Sequence, residues 1–196
     1  MRILRSRHCL LPVCPATVET VEVTARDRLV SVGTELLEAH GREGVSLRSI
    51  AAAAGVSHGA PRRHFPTYQA LLAAIARGGL EDLDAELAPA LAADDLPRAA
   101  RAYLAFARSR PEMFDLITRH DLLEGAGGQL REITGRWFAE LGATLARTTG
   151  RDPEPAECLA LWSAVHGLAA LTGRRATEPS GIDPDAALAV LLDRLG

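Results

Sequence analysis

Residues 46–65 read SLRSIAAAAGVSHGAPRRHF, and this stretch decides the fold. Ser46 is placed to cap a helix whose apolar residues Leu47, Ile50, Ala51 and Ala54 recur at i, i+3, i+4 and i+7, so one stripe faces a core. Gly55 ends that helix, because a glycine takes the left-handed conformation at no steric cost. Ser57 follows in position to cap a second helix. Val56 and Phe65 are the apolar residues left to anchor that second helix, which leaves His58, Gly59, Ala60, Arg62, Arg63 and His64 outward. Small residues at its start allow close approach to a major groove, and arginines near its end suit phosphates or the O6/N7 edge of guanine. Pro61 fits a first helical turn, where its fixed φ is already helical. The spacing predicts a helix-turn-helix; the same residues also fit an ordinary αα-hairpin with a solvated basic face.

Flanking signals extend the pattern. Thr24 and Asp27 form a capping-box pair ahead of a helix over 25–39, with Leu29, Val32, Leu36 and Leu37 as its inner stripe. After Pro66, Thr67 is set to cap a long fourth helix carrying Leu71, Leu72, Ile75, Leu83 and Leu87, which Pro89 is expected to end. Its Gly78-Gly79 pair is expected to mark a bend or pivot. Five further helices are predicted, over 96–109, 111–119, 129–148, 155–171 and 184–195, with Gly, Pro and Asp at the boundaries. The fold class is all-α with about nine helices, since 47% hydrophobic residues with 4% aromatic and abundant Ala suit helix packing rather than sheets.

The 196 residues divide, on this reading, into a 1–23 extension, a 24–77 DNA-binding domain and a 78–196 helical ligand-binding and dimerisation domain. The net charge of −3 is unevenly spread. Residues 24–77 carry seven arginines against four acids, while residues 78–196 carry twelve against nineteen, which places any nucleic acid at one end. Every basic side chain is Arg.

Cys9, Cys14 and Cys158 are an odd set that makes no disulfide framework, and they are expected to be reduced thiols in the cytoplasm. His8, Cys9 and Cys14 lack a fourth metal ligand, so neither metal nor cofactor is expected. The opening segment faintly imitates a signal peptide, but its apolar run is short and is broken by Pro12 and Pro15. It is read as a disordered extension in which Arg2, Arg5 and Arg7 are the residues suited to a basic arm on DNA. No stretch approaches the roughly 20 apolar residues of a membrane span. An enzyme is not expected, because His58, His64, His120 and His166 sit in no catalytic motif: there is no phosphate loop, HExxH or nucleophile elbow. A helical scaffold that binds only protein is the alternative.

The segment from Thr24 to Ile75 resembles the N-terminal domain of the TetR family of transcriptional regulators. The resemblance rests on the opening helix, the loop from His40 to Ser46, then Ile50-Ala51, Ala54-Gly55-Val56-Ser57, Gly59 and Arg63-His64-Phe65-Pro66. It implies a homodimeric, ligand-released repressor or activator on a palindromic operator of double-stranded DNA. On that basis Ser57, His58, Gly59, Ala60, Arg62, Arg63 and His64 lie in or beside the groove, with Ser46, Arg48 and Tyr68 on phosphates. Two positions depart from the family pattern: Arg62 stands where a tyrosine is usual, and Tyr68 where a lysine is frequent.

The C-terminal half resembles a TetR-type domain named for a Trp-His-Gly signature, here Trp162, His166 and Gly167, and Arg110-Pro111-Glu112-Met113-Phe114 fits that type too. Trp162 and His166 share a helix face, so a small-molecule pocket is expected with walls from Phe106, Phe114, Trp137 and Trp162 and polar groups from Asp115, His120 and His166. The resemblance places the last two helices at a dimer interface, with Leu161, Leu168, Leu188, Leu191, Leu192 and Leu195 as its apolar surface.

Overall fold

The computed structural model describes residues 24–119, 123, 125, 127 and 129–194. Expectations for the first 23 residues, for His120 and for Leu195 lie outside that set. Nine α-helices form among the described residues: α1 Ala25–His40, α2 Leu47–Ala53, α3 Ala60–His64, α4 Tyr68–Leu91, α5 Leu96–Ser109, α6 Pro111–Thr118, α7 Leu130–Thr149, α8 Pro155–Gly173 and α9 Pro184–Asp193. No strand appears among these residues.

Helices α2 and α3 pack on α1 and on each other, and α1 packs on α4. Leu29 and Leu37 from α1, Ile50 and Ala54 around α2, Phe65 after α3, and Leu71 and Ile75 from α4 are each at most 2% exposed and share one core. Deleting any of the leucines from such a core costs about 2–5 kcal/mol. The caps hold the helix starts: the Thr24 hydroxyl accepts from the Asp27 amide at 3.1 Å, and the Asp27 carboxylate accepts from the Thr24 amide at 3.2 Å. Ser46 and Ser49 make the same reciprocal pair at α2, and Thr67 caps α4 through the Ala70 amide. Gly55 takes the left-handed conformation, φ +67°, that the tight turn demands.

Two expectations about helix ends are corrected. Ser57 does not cap the second helix: α3 starts at Ala60 with Gly59 at its N-cap, and Ser57 contributes only its backbone carbonyl to the Ala60 amide. With its start moved to Ala60, α3 is five residues long. Pro89 does not end α4, which continues to Leu91; a proline in the last turn removes one hydrogen bond without stopping the helix.

Gly78-Gly79 does not interrupt α4 either. Gly79 is there for packing, since a Cβ on it would lie 2.3 Å from Sδ of Met113 and 3.2 Å from Ile117 on α6. Gly78 faces open space.

In the C-terminal part, helices α5 and α7 pack on α4, and α8 and α9 pack on α5 and on each other. Short α6 runs alongside α4 and also touches α1. At its start, the Arg110 guanidinium donates from Nε to Glu38 of α1 and from Nη1 to Asp82 of α4, both at 2.7 Å, while its plane covers the Phe106 ring. Thus α6 is tied to both parts of the protein.

Candidate nucleic-acid interface and ligand cavity

The outer surface of α2 and α3 is where the expected groove residues meet. Ser57, His58, Gly59, Arg62, Arg63 and His64 are exposed, Ala60 is half-buried, and Arg48 on α2 is exposed as well. Pro61 turns inward and is buried with Phe65, so it anchors α3 where Val56 is only partly covered; an apolar stripe reading that excluded proline missed it. Arg26 of α1 lies over the other face of Phe65, 5.2 Å from the ring centroid. The small residues therefore stand at the start of α3 and the cations in its last turn, where the negative end of the helix dipole favours them.

The arginines of the two ends differ in their partners. In the C-terminal body Arg108 pairs with Asp185, Arg136 with Asp84, Arg147 with Asp94, Arg151 with Glu157 and Arg174 with Asp115. Arg48, Arg62 and Arg63 make no ion pair among the described residues. Arg98, Arg101 and Arg194 of the C-terminal body are also exposed without an ion pair among the described residues; what α2 and α3 add is that their solvent-facing cations stand beside small residues on short helices, where a polyanion can approach closely.

Ser46 and Tyr68 have structural tasks as well. The Ser46 hydroxyl caps α2. The Tyr68 hydroxyl donates to the carbonyl of Val45 at 2.8 Å, tying the start of α4 to the loop before α2; burial raises its pKa. Its single proton is thereby used within the protein, and phosphate oxygens need a donor.

Two cavities lie between α4, α5, α7 and α8. The smaller, 90 Å³, is walled by leucines and alanines of α4 and α5 with Leu141, Leu161, Val165 and Leu192. The larger, 320 Å³, adds Ile117 and Thr118 of α6, Arg131 and Thr134 of α7 and His166 of α8. Tyr103, Trp137 and Trp162 belong to both. Such a size and a mostly apolar wall suit a small organic ligand.

Ring geometry explains the polar end. His166 stacks on Trp162, centroids 4.9 Å apart and planes 16° from parallel, and its ring centroid lies 5.6 Å from that of the buried Phe114. Its Nδ1 lies 2.9 Å from the Tyr103 hydroxyl. Burial holds that phenol neutral by pushing its pKa far up, so it is able to donate to the imidazole. Trp137 donates from Nε1 to Asp84 at 2.6 Å, which fixes the indole edge-out and leaves its face on the cavity.

Of the expected pocket residues, Trp137, Trp162 and His166 line the space, and Phe114 supports His166 from behind. Phe106 does not reach it: it is fully buried beneath Arg110. Asp115 turns away to pair with Arg174. Tyr103, Thr118 and Thr134 were missed, because a lone tyrosine or threonine in an alanine-rich helix carries no sequence signal until helices are docked.

The apolar surface expected at a dimer interface is also redistributed. Leu161 and Leu188 are buried within the protomer, and Leu168, Leu191 and Leu192 pack partly against its own core. The exposed large residues there are Leu159 and Leu171 on α8, Ile182 before α9 and Val190 on α9. Helix α8 is apolar on nearly all sides, so its sequence gave no phase from which to choose the outward leucines.

Comparison with known proteins bears directly on these two sites. Residues 29–75 match the model of bacterial regulatory proteins of the tetR family, and residues 96–195, half of the chain, match the Tetracyclin repressor-like C-terminal domain. The chain belongs to the TetR family. The C-terminal match gives no support to the Trp-His-Gly subtype. This TetR-family protein is therefore a transcriptional regulator with a DNA-binding domain and a ligand-binding domain, and not an enzyme.

Among solved structures, a protein with unknown function from Rhodococcus sp. RHA1 is 28% identical with a TM-score of 0.75, covering 91% of this chain and 96% of that one. The multidrug binding protein EbrR, complexed with imidazole, is 26% identical with a TM-score of 0.61, covering 87% and 93%. BioQ with its double-stranded DNA operator is 22% identical with a TM-score of 0.62, covering 88% and 98%, and shares the fold. No match is found among curated proteins. No described helix is long and apolar enough to cross a membrane.

Proposed function

We propose that this regulator is a ligand-released repressor that binds a palindromic operator as a homodimer. The observation that carries the DNA half is the solvent-facing set Arg48, Arg62 and Arg63 on α2 and α3, beside the small residues Gly59 and Ala60 and without ion pairs among the described residues. Ser57, His58, Gly59, Ala60, Arg62, Arg63 and His64 enter or flank the major groove, and Ser46 and Arg48 reach the flanking phosphates. Tyr68 acts one step back, by holding the loop from which Ser46 projects.

Dimerisation is supported by the exposed apolar residues of α8 and α9, among them Leu171 and Val190, which a monomer leaves in water. Gly167 faces the same solvent, with nothing within 4 Å of the position a Cβ would take, and a glycine there lets a second α8 approach closely. Two copies double the modest charge of one reading head and set the spacing of two half-sites, about 34 Å for successive major grooves.

Release by ligand is supported by the cavity and by EbrR, a relative described as a multidrug binding protein. The mechanism is a population shift: an occupied cavity favours a tilt of α4 and α6 that changes the separation of the two α3 helices. The test is selection of DNA from the source genome by the purified protein, followed by mass measurement of the complex. Recovered sites with two-fold symmetry carrying two protomers support the reading; asymmetric sites bound by one protomer contradict it.

A further inference from the structure

Resting on the reading of this protein as a homodimer with an effector cavity, we infer that the cavity is completed by the second copy of the chain: packing of α8 on its copy closes the cavity mouth, so effector binding and dimerisation strengthen each other.

The mouth lies between α7 and α8. The wall of the larger cavity includes Phe138 of α7 with Leu159 and Trp162 of α8, and these three are 36%, 52% and 37% exposed. They are half of the six large hydrophobic residues exposed among the described residues, so the apolar surface that one protomer leaves in water gathers at the cavity rim. A ligand seated behind them in a lone protomer would keep one side, and the rim with it, in water.

The register of α8 joins this rim to the face proposed for dimerisation. At about 100° per residue, Leu159, Trp162 and His166 make one row, and Ala160, Ser163, Gly167 and Leu171 make the adjoining one. The first row lines the cavity, while Ala160, Ser163 and Leu171 of the second are exposed. A helix laid on the second row therefore also covers Leu159 at the rim.

The occupant that fits is a second α8. From Cys158 to Gly173 the helix carries no Asp, Glu, Lys or Arg. Across a two-fold axis a helix meets itself, and a charge on the contact row would face its own copy. An uncharged stretch of this length answers that constraint, which a different partner does not impose. Gly135 of α7 and Gly167 of α8 each have nothing within 4 Å of the position a Cβ would take, so both helices beside the mouth admit close approach of another backbone.

The probe is N-phenyl-1-naphthylamine, an uncharged apolar dye that takes energy from tryptophan; Trp137 and Trp162, the two tryptophans of the chain, both line the cavity. The full-length native dimer is expected to bind it about tenfold more tightly, and with bluer emission, than the monomeric double variant Leu171→Arg/Val190→Arg, which changes no residue of the cavity wall. Linkage is reciprocal, so with two sites per dimer the dissociation constant of the native dimer is expected to fall about a hundredfold in saturating dye. Sedimentation of the native protein on dilution, with and without dye, reads this arm, which stands even should the variant unfold. Equal affinity and emission from monomer and dimer, or a dimer constant that the dye leaves unchanged, overturns the inference while leaving the cavity and the dimer in place. A double variant that remains dimeric overturns it by placing the interface elsewhere, with the homodimer reading intact. Absence of energy transfer to the dye in both proteins overturns the effector-cavity reading as well.

Discussion

Arg110 holds Glu38 and Asp82 at once, 2.7 Å from each, and so joins the first helix of the DNA-binding part to the fourth helix of the ligand-binding part. Glycine at position 41 reinforces the junction, for the Glu112 carboxylate of α6 sits 3.1 Å from where its Cβ would be. Helix α6 is short, with Arg110 at one end and the cavity residues Ile117 and Thr118 at the other. The eight residues of α6 thus span from the cavity wall to the Arg110 contact with α1.

Arg110→Met is expected to lower the free energy of unfolding by about 1 kcal/mol, since the guanidinium is only 23% exposed but its partners are more open to water. Arg110→Lys should recover little of this, because one ammonium does not reproduce a two-pronged fork. Urea titration of the three proteins checks the order; full recovery by Lys would mean that charge alone matters here.

The two adjacent glycines of α4 make a paired prediction. Gly78→Ala places a methyl in open space and should stabilise by about 0.5–1 kcal/mol through reduced backbone entropy. Gly79→Ala drives a methyl against the fully buried Met113 and should destabilise by about 1–3 kcal/mol. Thermal melts of both variants separate a packing role from a pivot, which would make both substitutions act alike on ligand response and neither on stability.

Much of this was legible in advance because the helix limits are written locally. Thr24, Ser46 and Thr67 announce their helices through side chains that reach backbone amides three residues on. The exposure of Ser57, His58, Arg62, Arg63 and His64 was legible too, for polar side chains on a short helix and its approach have nowhere else to go. What was not legible depends on docking. Whether Phe106 lines a cavity or sits under Arg110, and whether Leu161 or Leu171 faces outward, is settled by the rotation of helices whose apolar residues surround them. The pairing of Gly79 with Met113 is likewise a contact between helices, invisible from a glycine doublet.

The start of α8 should be acid-sensitive. Arg151 and the amide of Glu154 hold the Glu157 carboxyl down to a pKa of about 2. A depressed carboxyl contributes stability above its ordinary range, and that contribution fades as pH falls through the folded value. The stability difference between the native protein and Glu157→Gln should therefore be full at pH 6 and shrink from about pH 4.3 downward. Urea midpoints across that interval check it; a difference independent of pH contradicts the ion-paired cap.

Leu171→Arg and Val190→Arg place charges on the exposed apolar face of α8 and α9 without touching the core. Each should convert a dimer to a folded monomer in sedimentation, with helical content unchanged, and should cost at least tenfold in affinity for a two-fold-symmetric site through loss of the second reading head. A dimer that survives both changes would place the interface elsewhere.

On the proposed function, the open face of α3 binds DNA through Arg62 and Arg63. The direct measurement is the salt dependence of binding to a selected operator fragment, for the native protein and for Arg62→Ala/Arg63→Ala. Affinity should fall steeply with salt, and the double variant should bind weakly with a slope shallower by about 2 per protomer, one unit for each lost phosphate contact. An unchanged affinity and slope in a variant that remains folded would contradict it.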